Sequence, residues 1–191
     1  MDPRLNQAGP TLIVLAEFKS PVYDDGGISL ITASQRRPRA DMLDPKIHHN
    51  NLLPRSWPRS RPTSPARRRA DARRPRFIAE TNATHVFHVA GGVLRTSTTR
   101  ACPEGITREC VLSELAPSLG IATEVGDFSL TEIYNADEVF VTGTMGGLTP
   151  VLTIDGRTIG DGRPGPVTAS VSAAYRELQA SEGTVVAPLA G

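Results

Sequence analysis

The sequence predicts a mixed α/β domain, and three observations carry that prediction. The first is Ala136-Asp-Glu-Val-Phe-Val-Thr-Gly-Thr-Met-Gly-Gly-Leu-Thr-Pro-Val151. Val139, Phe140 and Val141 are β-formers, so Asp137 to Thr142 reads as a strand that Gly143-Thr144 ends in a turn. The second is the run Pro150 to Ile154, closed by the turn signal Asp155-Gly156. The third is the interleaving of such runs with helical periodicity: Val111, Leu112 and Leu115 share one face of a helix opening at Gly105. A hydroxyl beside glycine N–H groups, as at Gly143-Thr144, also suits an oxyanion such as phosphate, although most turns of this kind are only turns.

A chain of 191 residues supports one domain with a real core, or one domain plus part of another. No run of about 18 apolar residues offers a membrane span, and Met1-Asp-Pro-Arg-Leu-Asn6 lacks a signal peptide's apolar segment. Cys102 and Cys110 make no disulfide framework, so free thiols in a reducing cytoplasm are expected. The net charge of +1 points to no partner, but it hides an uneven spread of arginines.

Residues 11–18 read as a buried strand, and Gly27 to Thr32 as a second. Phe77 to Glu80 and His85 to Val89 read as strands, with Gly91-Gly92 a hairpin-type turn before Val93-Leu94. The Gly105 helix is expected to run to about Ala116, with Pro117 near its end. Ala122 to Phe128 is a further strand and Leu130 to Asn135 a short helix. Gly162 to Gly165 is a loop, Val167 to about Ala180 the last helix, and Gly183 to Gly191 a frayed tail.

Between Pro54 and Arg76 the composition breaks into Arg- and Pro-rich sequence with no aliphatic residue beyond alanine. At face value this is a disordered basic arm able to neutralise phosphates. A compensated frameshift explains it better. The codons TCC TGG CCA AGA TCG AGG CCA ACG, one choice among the synonymous ones, would encode Ser56 to Thr63; one base back, with A ahead, they would give Ile-Leu-Ala-Lys-Ile-Glu-Ala-Asn, a good amphipathic helix.

Four pieces stand in a telling order: Lys46, Glu80 with Thr81-Asn82, Gly105-Ile-Thr-Arg108, and Ala136-Asp-Glu-Val-Phe with Gly143-Thr144. With Ile154-Asp-Gly-Arg157 and Gly160-Asp-Gly-Arg-Pro-Gly-Pro-Val-Thr168, they resemble the class IV (fold type IV) pyridoxal-phosphate aminotransferases. The likeness is closest to branched-chain amino-acid aminotransferases; D-amino-acid aminotransferases and aminodeoxychorismate lyases are relatives. It covers about residues 11–53 and 77–180.

The resemblance implies the large domain of the D-amino-acid aminotransferase-like fold, a barrel-like sheet with flanking helices. On that division, 1–35 is a remnant of the small domain and linker, 36–182 the cofactor-binding domain with 54–76 disrupted, and 183–191 a tail. It also implies pyridoxal 5'-phosphate as cofactor, with an amino acid and a 2-oxo acid as small-molecule partners in a cytoplasmic homodimer; nucleic acid is not the expected partner.

Lys46 stands where the family carries the lysine that condenses with the cofactor aldehyde and moves a proton, which requires a locally lowered pKa. Read by residue type alone it is a surface lysine in a turn. Glu80 matches the carboxylate facing the pyridine nitrogen, and is otherwise a strand-end acid. Ile106 and Thr107 would bring N–H groups and a hydroxyl to the phosphate, with Gly143 and Thr144 on its other side; Thr107 could equally be a plain helix cap. No metal ligand is expected, since His85 and His88, three apart on a strand, face opposite ways, and His48 and His49 more simply shape the lysine loop.

Three departures bear on activity. Asn51 stands where the family has a tyrosine, Arg/Pro-rich sequence replaces the helix after the lysine loop, and most of the small domain has no counterpart. The expected function is amino transfer between a branched-chain or similar amino acid and 2-oxoglutarate, impaired in this truncated form. The alternative is a non-catalytic remnant.

Overall fold

A computed structural model describes residues 9, 11–15, 17, 23, 26–33, 44–47 and 77–183. The expectations for 54–76, for His48, His49 and Asn51, and for the tail beyond Gly183 lie outside them. Seven strands form one sheet: β1 (Ile28–Leu30), β2 (His85–Ala90), β3 (Val93–Ser97), β4 (Thr123–Gly126), β5 (Glu138–Gly143), β6 (Gly147–Ile154) and β7 (Arg157–Thr158). Their order is β1-β6-β5-β2-β3-β4, with β7 also on β6. The mixed α/β class stands. Among the described residues the sheet is open rather than closed, with β1 and β4 at the ends of the path.

The centre is an antiparallel meander that the turn residues dictate. Gly91 and Gly92, at φ 58° and 77°, supply the left-handed pair of a tight hairpin turn joining β2 to β3. Gly143 pairs with Gly147 around the turn joining β5 to β6. β3 and β4 are parallel and so need a crossover, which a helix provides. That helix, α1, opens as an α-helix over Ile106–Cys110, widens to a π-helical turn over Val111–Leu115 and closes over Ala116–Ser118. The widened turn lies directly before Pro117, whose ring would otherwise press on the carbonyl one turn earlier. The helix therefore passes the proline that sequence puts near its end.

Period-2 alternation sends successive side chains of β2 and β5 to two cores. Phe87, Val89 and Phe140 join Leu94, Val111, Leu115 and Val171 on the face covered by α1 and by α3 (Pro166–Ser181). Val86, Val139 and Val141 join Ile133, Val151 and Ile154 on the other face, under α2 (Leu130–Tyr134). Ser129 and Glu132 start α2 with a reciprocal capping box. Glu138 starts α3: its carboxylate accepts the N–H groups of Val167 (3.0 Å) and Thr168 (2.7 Å).

Two expectations are corrected. Residues 11–18 are not a buried strand: residues 11–15 form none, and Leu12, Ile13, Val14 and Leu15 are exposed, 87% in the case of Leu12. Apolar, β-branched content gives a strand only where a neighbour completes the ladder, and no described strand runs beside this stretch. Phe77 to Glu80 is not a strand either. Phe77 makes one isolated bridge to Ser129 and the chain then turns inward. Smaller differences are at ends: β4 stops at Gly126, short of Phe128, and β6 begins at Gly147, before Pro150.

Glu138→Ala should lower stability by about 1–3 kcal/mol, because α3 loses two charged hydrogen bonds. Gly165→Ala should act the same way, since a Cβ there would lie 2.1 Å from Glu138 Cδ. Thermal melts of both variants check this; an unchanged midpoint would refute the cap.

Candidate functional site

The site is built at one end of the meander, where β2 begins and β5 ends. Register puts His85 opposite Thr142, so the residues just before His85 lie next to Gly143. Thr81 folds the intervening loop. Its N–H donates to the Thr84 carbonyl (2.8 Å), and its hydroxyl oxygen accepts the Thr84 N–H (2.9 Å). That tight turn sets Glu80 beside His85: Glu80 Oε2 lies 3.3 Å from His85 Nδ1, and both side chains are nine-tenths or more buried. Gly143 packs on the same loop, for a Cβ there would sit 3.0 Å from Thr84 Cγ2. Thr144 and Met145 project from the exposed turn, and Tyr23 closes on Gly146.

The N-terminus of α1 approaches from the Phe87 face of the sheet. Gly105, at φ 72°, lies so close to His85 that a Cβ would stand 2.2 Å from Nε2. Gly105 brings no side chain to cap this helix start, and the first N–H groups, those of Ile106 and Thr107 among them, have no intrahelical acceptor. Ile106 is exposed and Thr107 buried. Arg108 is buried and donates to the Ser97 carbonyl at 3.0 Å, tying α1 to the end of β3.

Lys46 reaches the same place from a distant part of the chain. Asp44 forms the turn that carries it, accepting the Lys46 N–H (3.0 Å) on its side chain and the Ile47 N–H (3.1 Å) on its carbonyl. Lys46 Nζ lies 3.3 Å from Glu104 Oε1, one residue before Gly105. Both groups are solvent-exposed, so the pair contributes at most about 1 kcal/mol and is easily exchanged.

The structure thus runs a chain of neighbours from Lys46 through Glu104-Gly105 and His85 to Glu80, with Gly143 alongside. The helix start offers N–H donors suited to an anion, and Glu80 a buried carboxylate suited to a cationic ring nitrogen. On these grounds the residues present fit pyridoxal phosphate. Sequence reasoning singled out Lys46, Glu80, Ile106, Thr107, Gly143 and Thr144, but missed His85, Glu104 and Tyr23. It weighed His85 only as one of a histidine pair for a metal; its five-residue spacing from Glu80 across a Thr-rich turn was the available signal.

A second grouping overlaps this one. Oxygen, nitrogen and sulfur donors of Glu80, His85 and Cys102 lie within 4.8 Å of one another, a set a borderline divalent ion could use. Glu80 and His85 already face each other, and Cys102 Sγ lies 3.7 Å from the Thr98 carbonyl oxygen.

His88 points the other way, as the alternation requires, and stands edge-on to Phe128 at 4.8 Å. Burial, then the positive charge of Arg95, lowers its pKa from 6.5 to about 4. The unfolded chain therefore takes up this proton first. His88's contribution to stability is complete above pH 6.5 and falls as pH drops toward 4. Melting midpoints should decline across that window in the native chain and decline less in His88→Gln; equal slopes would contradict the buried neutral imidazole.

Comparison with known proteins bears on the family and the fold. The family model for amino-transferase class IV matches residues 4–154. Branched-chain-amino-acid aminotransferase-like protein 1 of Arabidopsis thaliana is 45% identical over 190 residues, 97% of this chain and 34% of its own length. The branched-chain-amino-acid aminotransferase of Pseudomonas aeruginosa is 40% identical over 102 residues, 53% of this chain and 33% of its own. The chain thus spans about a third of the length of these relatives. Among solved structures, a T.th. branched-chain amino acid aminotransferase with pyridoxamine 5'-phosphate superposes with a TM-score of 0.71 at 29% identity, over 84% of this chain and 54% of that one.

Proposed function

Because the chain belongs to the class IV aminotransferases, we propose that it moves an amino group between a branched-chain or similar amino acid and 2-oxoglutarate, using pyridoxal 5'-phosphate. The observation that supports this reading is the convergence of a lysine, a buried carboxylate and an uncapped helix start at one end of the sheet. The relatives that are branched-chain-amino-acid aminotransferases suggest the substrate class.

When bound, pyridoxal phosphate supplies the electron sink that stabilises negative charge at an amino acid's Cα. The residues of this chain do the rest. Lys46 would attach the cofactor through Nζ and, once displaced from it by substrate, carry the proton to and from Cα. For that, Lys46 must exchange its contact with Glu104, which surface exposure makes cheap. Glu80 would hold the proton on the ring nitrogen. The N–H groups of Ile106 and Thr107 would bind the phosphate, with Gly143 and Thr144 on its other side.

The proposal includes a cytoplasmic homodimer, with residues 36–182 as the cofactor-binding domain. It also includes weak turnover, since Asn51 brings no phenol to the cofactor's oxygen.

Adding pyridoxal 5'-phosphate to the purified chain should produce a visible absorbance band and measurable transfer from leucine to 2-oxoglutarate. Lys46→Ala should abolish the band and reduce transfer at least about a hundredfold. A chain that stays colourless would overturn the reading in favour of a non-catalytic remnant.

A further inference from the structure

We infer that His85 is the positioning residue of Glu80, locking the buried carboxylate to the helix start that lies across its ring. This deepens the proposed function and rests on it. The imidazole sits between two parts of the site that sequence leaves 25 positions apart, as their numbers 80 and 105 show. On one side Nδ1 lies 3.3 Å from Glu80 Oε2. On the other, Nε2 faces Gly105, where even a methyl group would intrude to 2.2 Å. The ring therefore fills the space that a side chain at position 105 would need and packs against the backbone that opens α1.

The fold holds His85 itself from two further directions. Its backbone is paired opposite Thr142 in the β2–β5 ladder, and the loop closed by Thr81 and Thr84 ends at it. Glu80, by contrast, lies outside any strand, in the loop that leads to His85. A carboxylate that must meet a cationic ring nitrogen is useful only if it is pre-oriented, because an ordered acceptor loses no freedom when the ligand arrives. His85 supplies that orientation through the close approach of Nδ1 to one carboxylate oxygen. Because the same ring rests on Gly105, a shift of Glu80 and a shift of the phosphate-facing helix start are linked through one side chain.

The test titrates the full-length apo chain with pyridoxal 5'-phosphate and reads the dissociation constant by equilibrium dialysis. His85→Leu should weaken binding about tenfold, the size expected for losing a polar contact to a charged group. His85→Asn, whose amide nitrogen stands near the position of Nδ1, should recover binding to within about twofold of the native chain. In a Glu80→Gln background, His85→Leu should add less than about a twofold further loss, because its effect passes through Glu80. Should His85→Leu fail to fold, Gly105→Ala takes its place, since the added methyl displaces the ring; the same loss, again absorbed by Glu80→Gln, is expected. Equal weakening in both backgrounds, or none in either, would overturn the positioning role while leaving the transaminase reading intact. A native chain that binds no cofactor at all would overturn the transaminase reading, and this inference with it.

Discussion

The register of β2 against β5 governs the rest of the molecule. Phe87 sits opposite Phe140, both rings fully buried and stacked with centroids 5.1 Å apart. Truncating either would cost about 3–5 kcal/mol, which makes this pair an anchor for the pairing. With Phe87 fixed, His85 must fall opposite Thr142 and on the same face as the rings. A slip of one residue would turn His85 to the α2 side and send His88 toward α1, exchanging both cores at once.

Two buried carboxylates then join helices to the sheet, in different ways. Glu138 accepts two N–H groups at the start of α3 and leaves that helix end satisfied. Glu80 turns instead to His85, and among the described residues no side chain caps the start of α1 behind that ring. Uncapped donors at a helix start are a cost in a protein that only needs to fold, and a resource in one that binds an anion. Glycine is what permits both close approaches: Gly165 admits Glu138, and Gly105 admits His85.

Much of this was legible in the sequence wherever the cause is local. The Gly91-Gly92 turn, the Ser129–Glu132 capping box and the alternation through Val139, Phe140 and Val141 each depend on a few adjacent residues, and elements formed there as expected. The facing of His85 and His88 to opposite sides followed from the strand period alone. The rest depends on what folds against what. Nothing near Leu12 to Leu15 says that no strand will pair with them, and nothing near Lys46 says that Glu104, 58 residues away, will meet its ammonium. The partner of Glu80 was five positions off, yet hidden, because only the Thr81–Thr84 turn brings the two side chains face to face. The family resemblance located Lys46 and Glu80 as candidates but carried no information about His85.

The proposed site unites Lys46, carried on the Asp44 turn, with the Glu80–His85 pair. Its most direct test is to incubate the full chain with pyridoxal 5'-phosphate, reduce it with borohydride, and map the labelled peptides by mass. One stoichiometric label is expected, on the peptide containing Lys46, with labelling reduced by Glu80→Gln at limiting cofactor. Label scattered over Lys19 and Lys46 alike, or label on Lys46 indifferent to Glu80, would contradict it.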